Sequence, residues 1–250
     1  MRRFFLPASH IHDAQAVIDG TEFHHLRHVL RLQVGNAILL YDDRGTEYQG
    51  TIATLSPISA TVSITHITPA IPRFSLTLAQ GLLKGQKMDL VIEKTTELGV
   101  SRIVPLISEF TVAQLREGHH QDRLSRWHRI AQSATKQSGS PMPQLVPPQS
   151  FSEFLRSVPN NISTLLFYEK EKRETLKHFT ERHPKLSALC AIVGAEGGFA
   201  EEEVEHARQA GCHVLSLGSQ VLRAETASIV TVALCQFLWG VPGVPPLPER

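Results

Sequence analysis

The sequence predicts an α/β fold built on a mostly parallel sheet, preceded by a small separate β domain. Three observations carry this expectation. The first 70 residues hold short runs of alternating apolar and polar residues, prolines at Pro69 and Pro72 then break the pattern, and from Ser75 apolar strand runs alternate with helical periods.

In the N-terminal part, AILLYDDRG, EYQGTIATL and SATVSITHI read as strands, and Asp42, Asp43, Arg44 and Gly45 form the turn between the first two. Their alternation suits a small β-barrel. One helix interrupts them: Phe23, Leu26, Leu30 and nearby Val29 recur at helical spacing after a Thr21 cap, with His24, Arg27, His28 and Arg31 on the remaining surface. After the proline linker comes the strand FSLTLAQGL, then QKMDLVIEKTTELGV, where Met88, Val91, Ile92, Thr95 and Leu98 share a helix face and Gly99 ends it. RIVPLIS is the next strand, followed by a helix over 123–136 and a Ser/Gly/Pro-rich loop over 138–148. The unit recurs as the strand STLLFYE, a charged helix over 170–181, the strand SALCAIVG, a helix over 201–210, the strand HVLSLG and a last helix over 224–239. Strands alternating with helices imply parallel pairing with both sheet faces covered. The domain boundaries expected are 1–70 and 74–242.

Composition excludes several classes. With 42% hydrophobic and 20% charged residues, the 250-residue chain is neither disordered, collagen-like nor a coiled-coil rod. The longest apolar stretch, Ile229 to Val241, is broken by Thr231, Gln236 and Gly240 and falls short of the roughly 20 residues that cross a bilayer. The start MRRFFLPASH lacks the apolar segment of a secretory signal, so a cytoplasmic protein without a membrane partner is expected. Cys190, Cys212 and Cys235 are odd in number and scattered, which suits reduced thiols and no metal site. His24 and His28, at i and i+4, lack an evident third ligand. The net charge of +1 makes any basic surface local; the segment 75–150 is the most basic.

Two strand-to-helix junctions concentrate the chemistry. In the first, an apolar strand runs into Gly194-Ala195-Glu196-Gly197-Gly198-Phe199 and a helix opening with three glutamates. Glycines permit close backbone approach, so this is either a ligand loop or a tight connecting turn. It is not a Walker loop, because G-x-x-x-x-G-K-[ST] is absent, and the helix-opening carboxylates would repel a dinucleotide pyrophosphate. In the second, Leu217-Gly218 ends a strand, and Arg223 and Glu225 precede an apolar helix. That pair is either a capping ion pair or an arginine fork aimed at an anionic group.

Taken together, KGQKMDLVIEKTTELGV, KQSGSPMP, IVGAEGGF and LGSQVLRAETA, with RRFFL and HHLRHVLRLQVGN at the N-terminus, resemble the RsmE family. These are SPOUT-class methyltransferases acting on uridine N3 of 16S ribosomal RNA. The resemblance spans nearly the whole chain. It implies an N-terminal PUA-like barrel that helps bind RNA, a C-terminal SPOUT domain with a trefoil knot, S-adenosylmethionine as methyl donor, the small ribosomal subunit as partner, and a homodimer. Carried over by position, Gly194, Glu196, Gly197 and Gly198 form one wall of the donor pocket, and Leu217, Gly218, Val221 and Leu222 another, with Tyr168 beside them. Arg223 and Glu225 sit near the transferred methyl. Two positions depart from the family: Ala195 stands where proline is usual, and Ser140 where arginine follows QSG, so an RNA contact implied at that position does not carry over.

The reaction asks for alignment, exclusion of water and removal of the N3 proton, without a metal. Charge developing on uracil O2 and O4 calls for a donor such as Arg223. Glu196 either accepts the proton or serves as a structural carboxylate. Arg2, Arg3, Arg27 and Arg31 in the barrel are RNA-contact candidates, as are Lys84, Lys87, Lys94, Arg129, Lys136 and Gln137, placed with the catalytic domain. The closing helix, apolar on more than one face, suits either deep burial or a subunit interface, and the resemblance implies the latter. Two other readings remain: a SPOUT methyltransferase for another RNA, and a ribosome assembly factor that binds RNA without catalysis.

Overall fold

The computed structural model describes residues 2–69, 74–111, 120–159 and 161–240. It resolves into two compact units, one comprising 1–72 with 135–142, the other 73–134 with 143–250.

The N-terminal unit is one six-stranded sheet. Its strands are β1 (Arg2–Phe5), β2 (Ile11–His12), β3 (Gln15–Asp19), β4 (Ala37–Tyr41), β5 (Glu47–Leu55) and β6 (Ser59–Thr68), in the order β1-β4-β5-β6-β3-β2. Phe4 of β1 and Ala16 and Ile18 of β3, near opposite edges, are fully buried in one cluster with Ile38, Leu40, Ile52 and Val62. The sheet therefore curls around its core. Asp42, 1% exposed, shapes the β4–β5 turn: its Oδ1 accepts from the N–H groups of Arg44 and Thr46 at 2.9 and 2.8 Å, and its Oδ2 from the Tyr48 hydroxyl at 3.0 Å. The helix α1 (Gly20–His24) starts one residue before the expected Thr21 cap, because Gly20, at φ +53°, turns the chain directly out of β3. A π-helical turn over His25–Val29 continues it and keeps Phe23 and Leu26 in the core.

In the second unit, β7 (Ser75–Gly81), α2 (Lys87–Glu97) and β8 (Arg102–Ile107) follow the expected order, and then comes α3 (His120–Ser138). The short strands β9 (Gln144–Leu145) and β10 (Gln149–Ser150) lie end to end along β8, pairing with Arg102–Ile103 and Leu106–Ile107. Pro105 falls in the gap between them, where a strand without that N–H is tolerated. The helix α4 (Phe151–Ser157), not expected from the sequence, begins at a capping box in which Ser150 and Glu153 exchange hydrogen bonds. The remaining elements are β11 (Ser163–Phe167), α5 (Leu176–Arg182), β12 (Ala188–Val193), α6 (Glu201–Gln209), β13 (His213–Leu215) and α7 (Ala224–Cys235). A π-helical turn over Gln236–Gly240 follows α7.

Pairing is parallel throughout, in the order β10-β8-β7-β12-β11-β13. The strands β7, β12 and β11 at its centre are buried on both faces over most of their length, as a doubly covered sheet requires. The expected helix over 170–181 is shorter and begins only at Leu176. Glu171 holds the preceding segment as a turn by accepting from the N–H groups of Lys172 and Arg173 at 3.0 and 2.8 Å, while Thr175 caps α5. Among the described residues no helix is long and apolar enough to cross a membrane.

Candidate active site

In an open parallel sheet the loops after the strands' C-terminal ends are where a ligand crevice forms. Here a cavity of about 330 Å³ opens beyond β11, β12 and β13, within the roughly 300–1,000 Å³ typical of small-molecule sites. Its first wall is the glycine loop over 194–199. The second is the loop from Ser216 to Ala224, continuing to Glu225 and Ala227 of α7, and the third is Phe167 to Glu169. Every donor-pocket and catalytic candidate from the sequence lies on this one cavity: Tyr168, Gly194, Glu196, Gly197, Gly198, Leu217, Gly218, Val221, Leu222, Arg223 and Glu225.

The glycine loop has its shape for local reasons. Gly198, at φ +69°, donates its N–H to the Ala195 carbonyl at 3.0 Å, closing a turn that holds Glu196 and Gly197 at its tip. Alanine at 195 leaves that turn closed. A Cβ on Gly81, at the end of β7, would lie 2.3 Å from the Ala195 nitrogen, so only glycine lets the two backbones meet. Beneath the loop, the fully buried Gln80 donates from Nε2 to the carbonyls of Gly81 and Gly194 at 3.0 and 3.2 Å, and its Oε1 accepts from the Ser228 hydroxyl. The sequence offered one signal for Gln80, an amide beside a glycine at the end of a strand whose other buried side chains are Leu76, Leu78 and Ala79.

Charge in the cavity centres on Lys87, which sequence reasoning had assigned only to RNA contact. Its Nζ sits 3.0 Å from Glu196 Oε1 and 3.8 Å from Glu225 Oε2. Glu196 Oε1 also accepts from the Lys84 N–H at 3.3 Å. Partial burial pushes the Glu196 carboxyl upward, but the Lys87 ammonium and the backbone N–H groups of Glu196 and Lys84 outweigh it and leave it below the usual carboxylate range. One lysine between two carboxylates leaves this corner net negative, complementary to a cationic ligand. Glu225 Oε2 and the Tyr168 hydroxyl are buried without hydrogen-bond partners among the described residues. Such atoms mark polar capacity that a ligand can use. Arg223 is exposed at the N-terminus of α7, and among the described residues its guanidinium has no hydrogen-bond or ion-pair partner. With glycine backbone, orphaned polar atoms and a negative corner, the residues present fit S-adenosylmethionine.

The remaining RNA candidates lie elsewhere. Lys84 and Arg129 are exposed, and Lys94 is engaged by Glu93 and Glu97 at 2.7 and 2.9 Å. Lys136 and Gln137, expected with the catalytic domain, cluster instead with the N-terminal unit. The reason is local: the Lys136 carbonyl accepts from the Tyr41 hydroxyl at 2.9 Å and its ammonium meets Glu22 at 2.6 Å. Arg2, Arg3, Arg27 and Arg31 are exposed in the same unit, Arg3 pairing with Glu47 at 2.7 Å. Among the described residues no group of His, Cys, Asp and Glu could hold a metal ion.

Comparison with known proteins matches residues 70–236 to the family model described as an RNA methyltransferase domain, and residues 18–65 to that of an RNA methyltransferase PUA domain. The ribosomal RNA small subunit methyltransferase E of Bacillus subtilis is 27% identical over 248 residues, covering 95% of this chain and 96% of that protein. The protein of the same name from Synechocystis is 30% identical over 242 residues, covering 94% and 76%. Among solved structures, a ribosomal RNA small subunit methyltransferase E from Neisseria gonorrhoeae bound to S-adenosyl methionine superposes with a TM-score of 0.82 at 32% identity, covering 96% of this chain and 98% of that one.

Proposed function

Because the chain belongs to the RNA methyltransferase family of the ribosomal RNA small subunit methyltransferases E, we propose that it methylates N3 of a uridine in 16S ribosomal RNA. The observation that carries this reading is the convergence of the two late loops, around Glu196 and Arg223, on one cavity beside the net-negative Lys87 corner. S-adenosylmethionine supplies an electrophilic methyl group on a sulfonium.

The chain's own residues supply the rest. The glycine turn and the 217–222 loop bring backbone groups against the donor and exclude water. Arg223, with its guanidinium uncommitted, stabilises the negative charge that develops on uracil O2 and O4 as the N3 proton leaves. Glu225 is better placed than Glu196 to accept that proton. Its Oε2 is buried without a hydrogen bond, whereas Glu196 is held ionised by Lys87 and by backbone N–H groups, which weakens it as a base. Glu196 then anchors Lys87 between the two loops.

For RNA, the reading uses Arg2, Arg3, Arg27 and Arg31 of the PUA-like domain, taken as 1–70, with Lys84, Lys94, Arg129, Lys136 and Gln137 of the methyltransferase domain, taken as 74–242. Neutralised phosphates make affinity fall with salt, so an affinity independent of salt rejects this surface. Val221 and Phe237, 78% and 76% exposed, support a homodimer through α7 and its flanks; a monomeric mass in light scattering would exclude it. Family membership also supports a trefoil knot in the C-terminal part, which an experimental backbone trace without a threaded loop would remove. A cytoplasmic location follows from a ribosomal substrate, and fractionation tests it.

The decisive experiment is methylation of small subunits from cells lacking the enzyme, with the modified nucleoside mapped. A methyl group at uridine N3 of 16S RNA is expected. Methyl at a carbon or ribose oxygen rejects the assignment, and donor binding without transfer would indicate an assembly factor instead.

A further inference from the structure

Phe110 is a large apolar side chain left 44% exposed just past the C-terminal end of β8, on the same sheet edge as the cavity. A single exposed aromatic needs no explanation by itself. This one is held in place on the donor-side loop. A Cβ on Gly197 would lie 2.6 Å from Phe110 Cβ and 3.2 Å from its carbonyl oxygen, so the residue packs directly on the tip of the glycine turn. Three hydrogen bonds fix the turn that presents it. The Ser108 N–H donates to Thr111 Oγ1 at 2.8 Å, the Thr111 N–H to the Ser108 carbonyl at 3.0 Å, and the Glu109 N–H to Glu203 Oε1 at 3.0 Å. Glu203 also accepts from the Ala200 N–H at 3.0 Å, so the Phe110 turn and the end of the glycine loop share one carboxylate anchor.

An enzyme that modifies a ring nitrogen must take its base out of the stack, and the extruded base needs a new partner for its π-face. We propose that Phe110 is a substrate-binding residue that supplies this stacking face for the target base beside the glycine turn. The inference rests on the uridine-methylating reading above. Its chemistry is that of a planar nucleobase in single-stranded RNA, and the donor's own pocket does not include Phe110.

The test measures the wild-type protein, Phe110→Ala, Phe110→Leu and Phe110→Tyr. Donor affinity is read by calorimetry, kcat and KM with small subunits as substrate, and folding by thermal melting. Stacking of one base is worth about 1–3 kcal/mol by alanine substitution, so KM should rise roughly 5- to 150-fold in Phe110→Ala. Phe110→Leu, which keeps apolar bulk without a π-face, should show most of that rise, and Phe110→Tyr should recover most of it. Donor affinity should stay within about twofold of wild type throughout. If Phe110→Leu matches wild type, or donor affinity weakens in step with KM, Phe110 is a buttress of the glycine turn and the proposal is wrong. If the wild-type protein transfers no methyl group to uridine, the underlying reading fails first, before any variant is compared, and the stacking role goes with it.

Discussion

The side-chain amide of Gln80 donates to the carbonyl of Gly194, 3.2 Å away and 114 residues further along the chain. Its oxygen accepts from Ser228 of α7, so one buried amide ties the end of β7 to both the glycine loop and the helix carrying Glu225. A buried polar group retained in an apolar sheet must have its bonds satisfied, and satisfying them here fixes where two loops stand.

Replacing Gln80 by Leu keeps the volume but takes away the donor to the Gly81 and Gly194 carbonyls, while the Ser228 hydroxyl keeps its bond to the Ala224 carbonyl at 2.7 Å. Each unsatisfied buried group costs about 1–3 kcal/mol. Urea unfolding should therefore show a loss of about 2–4 kcal/mol, and calorimetry a weaker donor affinity, because the glycine loop loses its anchor. Unchanged stability would show that the amide network contributes nothing.

Gly81→Ala places a Cβ against the backbone of Gly194 and Ala195, with the Ala195 nitrogen nearest. Neither strand end can yield cheaply, so the expected cost is about 3 kcal/mol or more, in line with forced overpacking of a core. The melting point should fall and donor binding should be lost together. Gly211→Ala, with nothing within 4 Å of the new Cβ but a φ of +84°, should show only the smaller backbone strain of roughly 1 kcal/mol.

Glu171 sets a pH dependence of stability. The backbone N–H of Arg173, the Arg208 guanidinium at 2.7 Å and the backbone N–H of Glu174 outweigh partial burial and lower its carboxyl to about 2. A group whose folded value is depressed contributes stability above its unfolded value and loses it as pH falls toward the folded one. The unfolding free energy should therefore drop between about pH 4.5 and about pH 2, and in Glu171→Gln that part of the slope should flatten. A variant with the wild-type acid profile would contradict the assignment.

Burial pushes the thiols of Cys190 and Cys235 up to about 12 and that of Cys212 to about 11. The thiolate is the reactive form, so all three should resist a thiol reagent in the native protein at pH 8 and react together on unfolding. Rapid modification of any one without denaturant would place it at the surface.

Arg223→Met removes the guanidinium from the cavity while keeping the length of the side chain. If it stabilises charge only in the transition state, kcat should fall roughly 100- to 1,000-fold with donor affinity little changed. Equal losses in donor affinity would make it a binding residue instead. Single-turnover methylation separates the two outcomes.

Several features were legible because they are local. The alternation of strand and helix, the capping glycine at Gly99 and the two glycine-bearing junctions depend on residues within a few positions of one another. What the sequence did not show has a different origin. The segment over 170–175 has helical composition but is held as a turn by Glu171, whose carboxylate is stabilised by Arg208, 37 residues downstream. Lys136 and Gln137 lie in the matched methyltransferase region, as expected, but the bonds of Lys136 to Tyr41 and Glu22, 95 and 114 residues away in sequence, group them with the N-terminal unit. Lys87 looked like one more surface cation until Glu196 and Glu225, more than 100 residues away in sequence, arrived on either side of it.

By itself the sequence determined the two-part organisation, the parallel sheet and the loops that bear the chemistry, because periodicity, turn residues and motif order are properties of neighbouring residues. Only the tertiary structure decided which of those loops share a cavity, that Lys87 lies between two carboxylates, that Gln80 secures the floor and that Phe110 packs on the tip of the glycine turn. These are contacts between distant segments, and they exist only once the strands have paired and brought their C-terminal ends together.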